Sequence, residues 1–219
     1  MKHLVLALAA VLPLAAAAQT PPPKTVDVTL ATSLGPIVIA LETARAPVTT
    51  RNFLAYVDQK RLDGTVFYRA VNIQPDFGFI QFGTQHDPKR TLPPIAHEPT
   101  SRTGLSHVDG AISMAMGKPG TADGDFFIIV GDMKAMDATA TDPGYAVFGR
   151  VVRGMDIVRR IMQSPTSPTR GTGIMKGQML EPVIRIASAR RAPPVAPPPV
   201  PAATPPATNA PPPGPASRQ

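Results

Sequence analysis

The residues best suited to chemistry lie at the end of an apolar run, in Phe67-Tyr68-Arg69, and in a second aromatic pair, Phe126-Phe127. Arg69 comes two residues after a phenylalanine and just before a stretch rich in Pro, Phe and Gly. Its guanidinium is always protonated, planar and rich in donors, so it can stabilise a lone pair without changing its own protonation. Taken alone, an arginine at the end of a strand is more often a surface residue or a salt-bridge partner, so a chemical role needs support from its surroundings.

Other reactive groups give weaker signals. His86-Asp87, His97-Glu98 and His107 with Asp109 combine metal-ligand residue types, but they lie in predicted loops without paired spacing such as HxxxH. Asp123-Gly124-Asp125 lacks the remaining ligands of a calcium loop. Serines are present without a GxSxG elbow or a spaced Ser/His/Asp signature. We therefore interpret the histidines as loop hydrogen-bonding or solvent-exposed residues, and we expect neither a metal nor a cofactor.

The elements that must position these residues are mostly short strands. Alternating residues from Val26 to Thr32, a turn at 33–36 and a second apolar run from Ile37 to Leu41 predict a β-hairpin. Further strands are predicted at 65–71, 77–83, 111–115, 126–130, 145–152 and 183–187. Helical spacing predicts one helix beginning at Ala46-Pro47 and another over 154–162, and 84–104 is predicted to be a long Pro-rich loop. Many short strands, two helices and frequent Gly/Pro turns favour a mainly β fold, a closed antiparallel barrel.

Both ends of the 219-residue chain are predicted to lie outside this domain. Residues 1–18 combine a Lys2-His3 start, an apolar run and a small-residue string, which is typical of a cleaved secretory signal; the alternative is a buried N-terminal helix. A short linker, 19–25, follows. Residues 191–219 are rich in Pro and Ala with no periodic apolar face, so we expect a disordered, extended tail. The remaining stretch, 26–190, is long enough for one domain with a single core.

Composition and charge indicate where the protein is located and which classes of partner it binds. We expect an exported, periplasmic protein without an integral membrane segment once the signal is removed. The chain has no cysteine, so it must be stable by packing alone. The net charge of +7 comes from Lys and Arg residues scattered along the chain, with no stripe and little aromatic interleaving. This pattern favours a basic surface over a nucleic-acid site, and we expect a monomer that binds no nucleic acid.

With the elements placed, the sequence resembles the cyclophilin-type peptidyl-prolyl cis-trans isomerases, in a bacterial exported form. Seven ordered blocks carry the resemblance: the hairpin at 32–41, APxTxxNF at 46–53, DGTxFYR at 63–69, QxG at 81–83, GxISMA at 110–115, DFFI at 125–128 and AVFGRVxxGMDIV at 146–158. The resemblance implies an eight-stranded antiparallel barrel capped at its ends by two helices. It also implies catalysed rotation about Xaa-Pro bonds in unfolded or newly exported polypeptides, with proline-containing polypeptides as partners.

The resemblance further implies roles for individual residues. Arg69 matches the catalytic arginine, and Gln81 matches the glutamine that positions this arginine and binds substrate backbone. The substrate-binding positions are matched by Phe127 as the floor under the proline ring, Met136 on its wall, Phe79 at its rim, and Met114 and Ala115 as wall and backbone-contact positions. Core packing is the alternative for the apolar members of this set. We expect core packing for Phe126, since neighbouring residues of a strand face opposite ways.

At four positions the sequence departs from the family pattern. Asp125 replaces a glutamine and puts a negative charge near Arg69, where it either orients the arginine or competes with substrate. Tyr145 replaces a histidine and keeps a hydrogen-bonding hydroxyl, and Gly78 replaces a phenylalanine, which predicts a remodelled pocket. Ala135 stands where a tryptophan often confers tight cyclosporin binding, so we expect weak cyclosporin sensitivity. Asp125 and Tyr145 remain predicted substrate-binding positions, and the departures leave open an alternative function, a low-activity cyclophilin-like module that binds proline peptides or acts as a chaperone.

Overall fold

The computed structural model describes residues 25–192. The predicted signal peptide, 1–18, lies outside the described residues, as do nearly all of the predicted linker and the predicted tail from residue 193 onward. Across 25–192, no helix is both long enough and apolar enough to cross a membrane.

Within this range the chain forms nine strands and three α-helices. The strands are β1 (Thr25–Thr32), β2 (Gly35–Glu42), β3 (Val66–Gln74), β4 (Phe77–Gly83), β5 (Ala111–Met114), β6 (Asp125–Val130), β7 (Val147–Arg153), β8 (Thr166–Ser167) and β9 (Met179–Ala192). The helices are α1 (Pro47–Asp58), α2 (Thr100–Thr103) and α3 (Met155–Met162). The predicted loop at 84–104 contains α2, a single turn too short to produce an apolar periodicity in the sequence.

Eight of the described strands form a closed antiparallel barrel. Their order is β1-β2-β7-β5-β6-β4-β3-β9, and β1 pairs with β9 to close the circle. The two-residue strand β8 pairs with the first two residues of β9, outside the barrel order. The predicted mainly β fold, a closed eight-stranded antiparallel barrel, is therefore confirmed. Closure pairs the strand edges that an open sheet would expose.

The core fills the barrel and continues under the two longer helices. Inward residues of the first hairpin, such as Val28, Leu30 and Ile39, are fully buried. Helix α1 adds Phe53 to the same apolar cluster, and α3 adds Val158. The two helices predicted from the sequence are thus α1 and α3, each held on the barrel by its apolar face.

A buried glutamate fixes the start of α1. Pro47 occupies the first turn, where its missing N–H leaves no hydrogen bond unmade. The backbone N–H groups of Val48 and Thr49 donate to the Glu98 carboxylate at 3.1 and 2.7 Å. A negative charge at the N-terminus of a helix also complements the helix dipole. Glu98, which sequence analysis weighed as a metal ligand, therefore joins the long loop to α1.

Candidate functional site

The predicted functional side chains come from neighbouring strands at the same level of the barrel. The register places Arg69 of β3 opposite Gln81 of β4, and Gln81 opposite Phe127 of β6. Phe127 in turn lies opposite Ser113 of β5. Directly opposed residues of adjacent strands lie side by side on one face of a sheet. We call these four residues the site row.

An irregularity in β3 turns Arg69 towards this face. Regular alternation would place Arg69 on the same side as Phe67, which is fully buried in the core. Instead the register shifts by one residue between Phe67 and Arg69, so that Tyr68 is an extra residue in the strand. This β-bulge leaves Phe67 and Ala70 in the core, while the side chains of Tyr68 and Arg69 both face the side of the sheet that carries the site row. We call the surface above the site row the groove.

Arg69 is held by two glutamines and an aromatic ring. Arg69 Nη1 donates to Gln81 Oε1 at 3.0 Å, and Nε and Nη2 donate to Gln178 Oε1 at 2.9 and 2.6 Å. Arg69 Cζ lies 5.2 Å from the centroid of the Phe79 ring. Burial lowers the pKa of the Arg69 guanidinium, yet an arginine in a protein stays protonated at neutral pH. Neutral acceptors therefore orient this cation and leave its charge available to a substrate.

No pattern in the sequence predicts a role for Gln178. This residue lies in an irregular segment between a 3-10 turn, Gly173–Met175, and β9, where no repeating pattern marks it. The signal that could have found it is a count of acceptors. A half-buried guanidinium has five N–H donors, and Gln81 alone cannot satisfy them.

Phe127 forms an apolar floor beside the arginine. Its side chain is 3% exposed, and its ring centroid lies 5.5 Å from that of Phe79. The ring of Tyr145 stands perpendicular to Phe127 at 5.4 Å. Ala115 and Met136 pack against the same small apolar cluster. The structure thus brings four predicted substrate-binding positions together around Phe127.

Met114 and Gly78 are placed differently. Met114 is fully buried in the main core, opposite Phe126, so the structure does not bring its side chain to the groove. At Gly78, an added Cβ would lie 1.9 Å from the carbonyl oxygen of Val71. The backbone of β3 therefore leaves no room for any side chain at this position, which accounts for the glycine.

Asp125 faces a cavity of about 550 Å³ that adjoins the site row at Gln81. The Asp125 side chain is buried and accepts a hydrogen bond from the backbone N–H of Gln85 at 3.0 Å. Burial raises the pKa of this carboxyl. Among residues 25–192, no ion pair within 4.0 Å joins Asp125 to Arg69. The charge that sequence analysis placed near the arginine lies in the neighbouring cavity.

A possible cation-binding group lines the same cavity. His86 is next to Asp87 in the sequence, but in the fold His86 Nδ1 lies 3.2 Å from Asp123 Oδ2, and His86 Nε2 lies 3.9 Å from Asp125 Oδ2. In the described part of the chain, these three side chains present ligand atoms within 4.8 Å of one another. The His86 side chain is 77% exposed, and such groups are common on protein surfaces without a metal role.

The arrangement suits a neutral substrate that carries an apolar ring. Phe127 offers a flat surface for the ring, and Arg69 uses three of its five N–H donors on Gln81 and Gln178, which leaves two for a substrate. No member of the site row must gain or lose a proton to bind such a group. The geometry therefore favours binding or conformational catalysis over bond cleavage.

Comparisons with known proteins show similarity to enzymes that catalyse a conformational change. A family model described as cyclophilin type peptidyl-prolyl cis-trans isomerase/CLD matches residues 25–190. The chain is 40% identical over 144 residues to a peptidyl-prolyl cis-trans isomerase of Acinetobacter baylyi, covering 64% of this chain and 73% of the relative. It is 39% identical over 143 residues to peptidyl-prolyl cis-trans isomerase A of Dickeya dadantii, covering 64% and 72%. A crystal structure of a Cryptosporidium parvum cyclophilin, determined in the presence of the dipeptide Ala-Pro, has the same fold, with a TM-score of 0.58 at 20% identity over 76% of this chain and 98% of that one.

Proposed function

Because this chain belongs to the cyclophilin-type peptidyl-prolyl cis-trans isomerase family, we propose that it catalyses rotation about Xaa-Pro bonds in unfolded or newly exported polypeptides. One observation carries the proposal. The Arg69 guanidinium, oriented by Gln81 and Gln178, lies on the same face of the barrel as the apolar floor of Phe127. A proline ring on that floor would place its amide nitrogen towards the arginine.

The reaction explains why these residue types are needed. Amide resonance resists rotation with a barrier of about 18–20 kcal/mol, and uncatalysed exchange at Xaa-Pro takes tens to hundreds of seconds. No bond is made or broken. As the amide twists, resonance is lost and the nitrogen regains its lone pair, so a fixed donor aimed at that nitrogen stabilises the transition state more than the planar ground state.

Each part of the site has a place in this mechanism. Phe127, with Met136 and Phe79 beside it, holds the proline ring still. Arg69 donates to the nitrogen of the twisted amide. Gln81 Oε1 accepts from Arg69, so its amide NH₂ remains available to bind a backbone carbonyl of the substrate.

Replacing Arg69 tests the proposed function. We expect Arg69→Ala to lower kcat/KM on an Xaa-Pro peptide by roughly 10²–10³, as for loss of a preorganised donor at a developing charge. Arg153→Ala removes an exposed arginine at the end of β7 and serves as the control that should leave the rate unchanged. Exchange NMR or a protease-coupled assay measures the rate. Near-background rates in both wild type and Arg69→Ala, with peptide binding retained, would instead support the alternative binding or chaperone module.

We further propose that the protein is a bacterial, exported, periplasmic monomer. The charged start, apolar run and small-residue string of residues 1–18 support export. Cell fractionation should recover the protein in the periplasm, and mass spectrometry should find a mature chain beginning after Ala18. Light scattering should give the mass of one chain. A cytoplasmic protein that retains Met1 would refute the proposed export.

A further inference from the structure

Beside Phe127, on the side away from Gln81 and Arg69 in the strand order, three polar side chains form a hydrogen-bonded network. His107 Nδ1 lies 2.6 Å from Asp137 Oδ1, and His107 Nε2 lies 3.0 Å from Ser113 Oγ. Both Ser113 and His107 are fully buried. The sequence shows no spaced Ser/His/Asp signature and predicts that His107 is a loop hydrogen-bonding or solvent-exposed residue. The three residues meet only through the fold of the barrel.

These are the residue types of an acyl-transfer triad, but the geometry does not fit that chemistry. A nucleophilic serine must present its hydroxyl to a substrate carbonyl. Ser113 has no exposed surface, so its hydroxyl is not accessible to a substrate. The role of these three residues must therefore be exerted through the protein groups that they contact.

The hydrogen bonds define the protonation states of Asp137 and His107. Asp137 also accepts from the backbone N–H of His107 at 2.9 Å and from the Ser106 hydroxyl. Burial alone would raise the pKa of Asp137, but hydrogen bonds from Ser106 and His107 outweigh it and lower that pKa. Burial lowers the pKa of His107 despite the contact with Asp137. A neutral imidazole thus donates from Nδ1 to Asp137 and accepts at Nε2 from the Ser113 hydroxyl, which satisfies both ring nitrogens.

The hydrogen-bonded residues contact the floor of the groove, Phe127, and adjoin its wall, Met136. The His107 ring is nearly parallel to the Phe127 ring, at 9°, with centroids 6.0 Å apart. Asp137 directly follows Met136 at the end of the 3-10 turn Lys134–Met136. One set of hydrogen bonds therefore joins β5, the loop before it and the turn that carries Met136.

We propose that His107 is a positioning residue for the pocket that receives the proline ring, with Ser113 and Asp137 fixing its orientation; this rests on the proposed isomerase function. The floor and wall contact the proline ring in the ground state and in the transition state alike. Interactions of equal strength in both states change KM and leave kcat nearly constant. Loosening this network should therefore raise KM, whereas loss of Arg69 should lower kcat.

Three variants and one control test the proposal. Ser113→Ala removes one buried hydroxyl, His107→Leu removes both hydrogen bonds of the imidazole, and His107→Gln offers an amide that can replace part of them. The control is Thr49→Val in α1. It removes an equally buried hydroxyl, which donates to Glu98 of the long loop at 2.6 Å. We expect KM and the peptide Kd to rise about threefold to tenfold in Ser113→Ala and further in His107→Leu, as for lost buried hydrogen bonds. His107→Gln should recover part of the loss, and Thr49→Val should leave KM unchanged.

The outcomes separate this inference from the proposed function. Unchanged KM in Ser113→Ala, or the same rise in Thr49→Val, would overturn the positioning role; if His107→Leu fails to fold, Ser113→Ala decides alone. A ¹⁵N spectrum of His107 at neutral pH should show a neutral ring protonated at Nδ1, and protonation at Nε2 would contradict the geometry. An inactive wild type, or an Arg69→Ala variant with full activity, would count against the isomerase function instead.

Discussion

Replacing Gln178 with alanine tests how the catalytic cation is aimed. Gln178 Oε1 accepts hydrogen bonds from both Nε and Nη2 of Arg69, whereas Gln81 accepts from Nη1 alone. Without Gln178 the guanidinium keeps one acceptor and gains freedom to rotate. A donor that is no longer fixed loses part of its advantage in the transition state, because it must be reoriented during the reaction.

The size of the effect follows from the number of bonds and their exposure. A hydrogen bond to a charged group contributes about 1.5–3 kcal/mol, but Gln178 is only partly buried, so water can replace much of what is lost. We therefore expect Gln178→Ala to weaken transition-state stabilisation by about 1–2 kcal/mol, which lowers kcat roughly 5–30-fold. This is smaller than the loss expected for Arg69→Ala, because the guanidinium itself remains.

Saturation kinetics on an Xaa-Pro peptide, followed by exchange NMR, would separate kcat from KM. Gln178→Glu keeps an acceptor oxygen but adds a negative charge that pairs with Arg69, so it tests whether the acceptor must be neutral as well as correctly placed. The matched control is Gln163→Ala, which removes an exposed glutamine just after α3. A kcat for Gln178→Ala equal to that of the wild type, or an equal fall in Gln163→Ala, would refute the reasoning.

Three further predictions concern pH and inhibitor binding. Burial raises the pKa of Asp125, so its ionisation disfavours the folded state as pH rises; Asp125→Asn should raise the melting temperature at pH 8 but not at pH 3, as scanning calorimetry would show. Burial lowers the pKa of His107 below its unfolded value of about 6.5, so the unfolded chain binds more protons and the free energy of unfolding should fall as pH drops through and below that value, measured by urea titration. Cyclosporin should inhibit only weakly, because the exposed Ala135 offers no indole beside Met136; nanomolar inhibition in a peptide assay would contradict this.

The many short strands and the resemblance to the family were sufficient to predict the barrel, and alternation along a single strand predicted the opposed faces of Phe126 and Phe127. The sequence could not predict which residues meet across strands. The bulge at Tyr68 depends on how β3 pairs with β4, and Gln178 reaches Arg69 from an irregular segment more than one hundred positions away. His107 lacks any local pattern, and its burial follows from partners on two other segments. Roles for the individual site residues therefore remain predictions that the variants above can test.

The extra residue in β3 adds one side chain to the groove without displacing another. Tyr68 and Arg69 both face the groove, between Phe67 and Ala70, which face the core. Deleting Tyr68 would restore regular pairing between β3 and β4, and the arginine, then directly after Phe67, would still lie opposite Gln81 and face the groove. The deletion would therefore remove a tyrosine from the lining of the neighbouring cavity and leave the arginine in place. The bulge thus allows the lining of the cavity to change while the cation of the site row keeps its position.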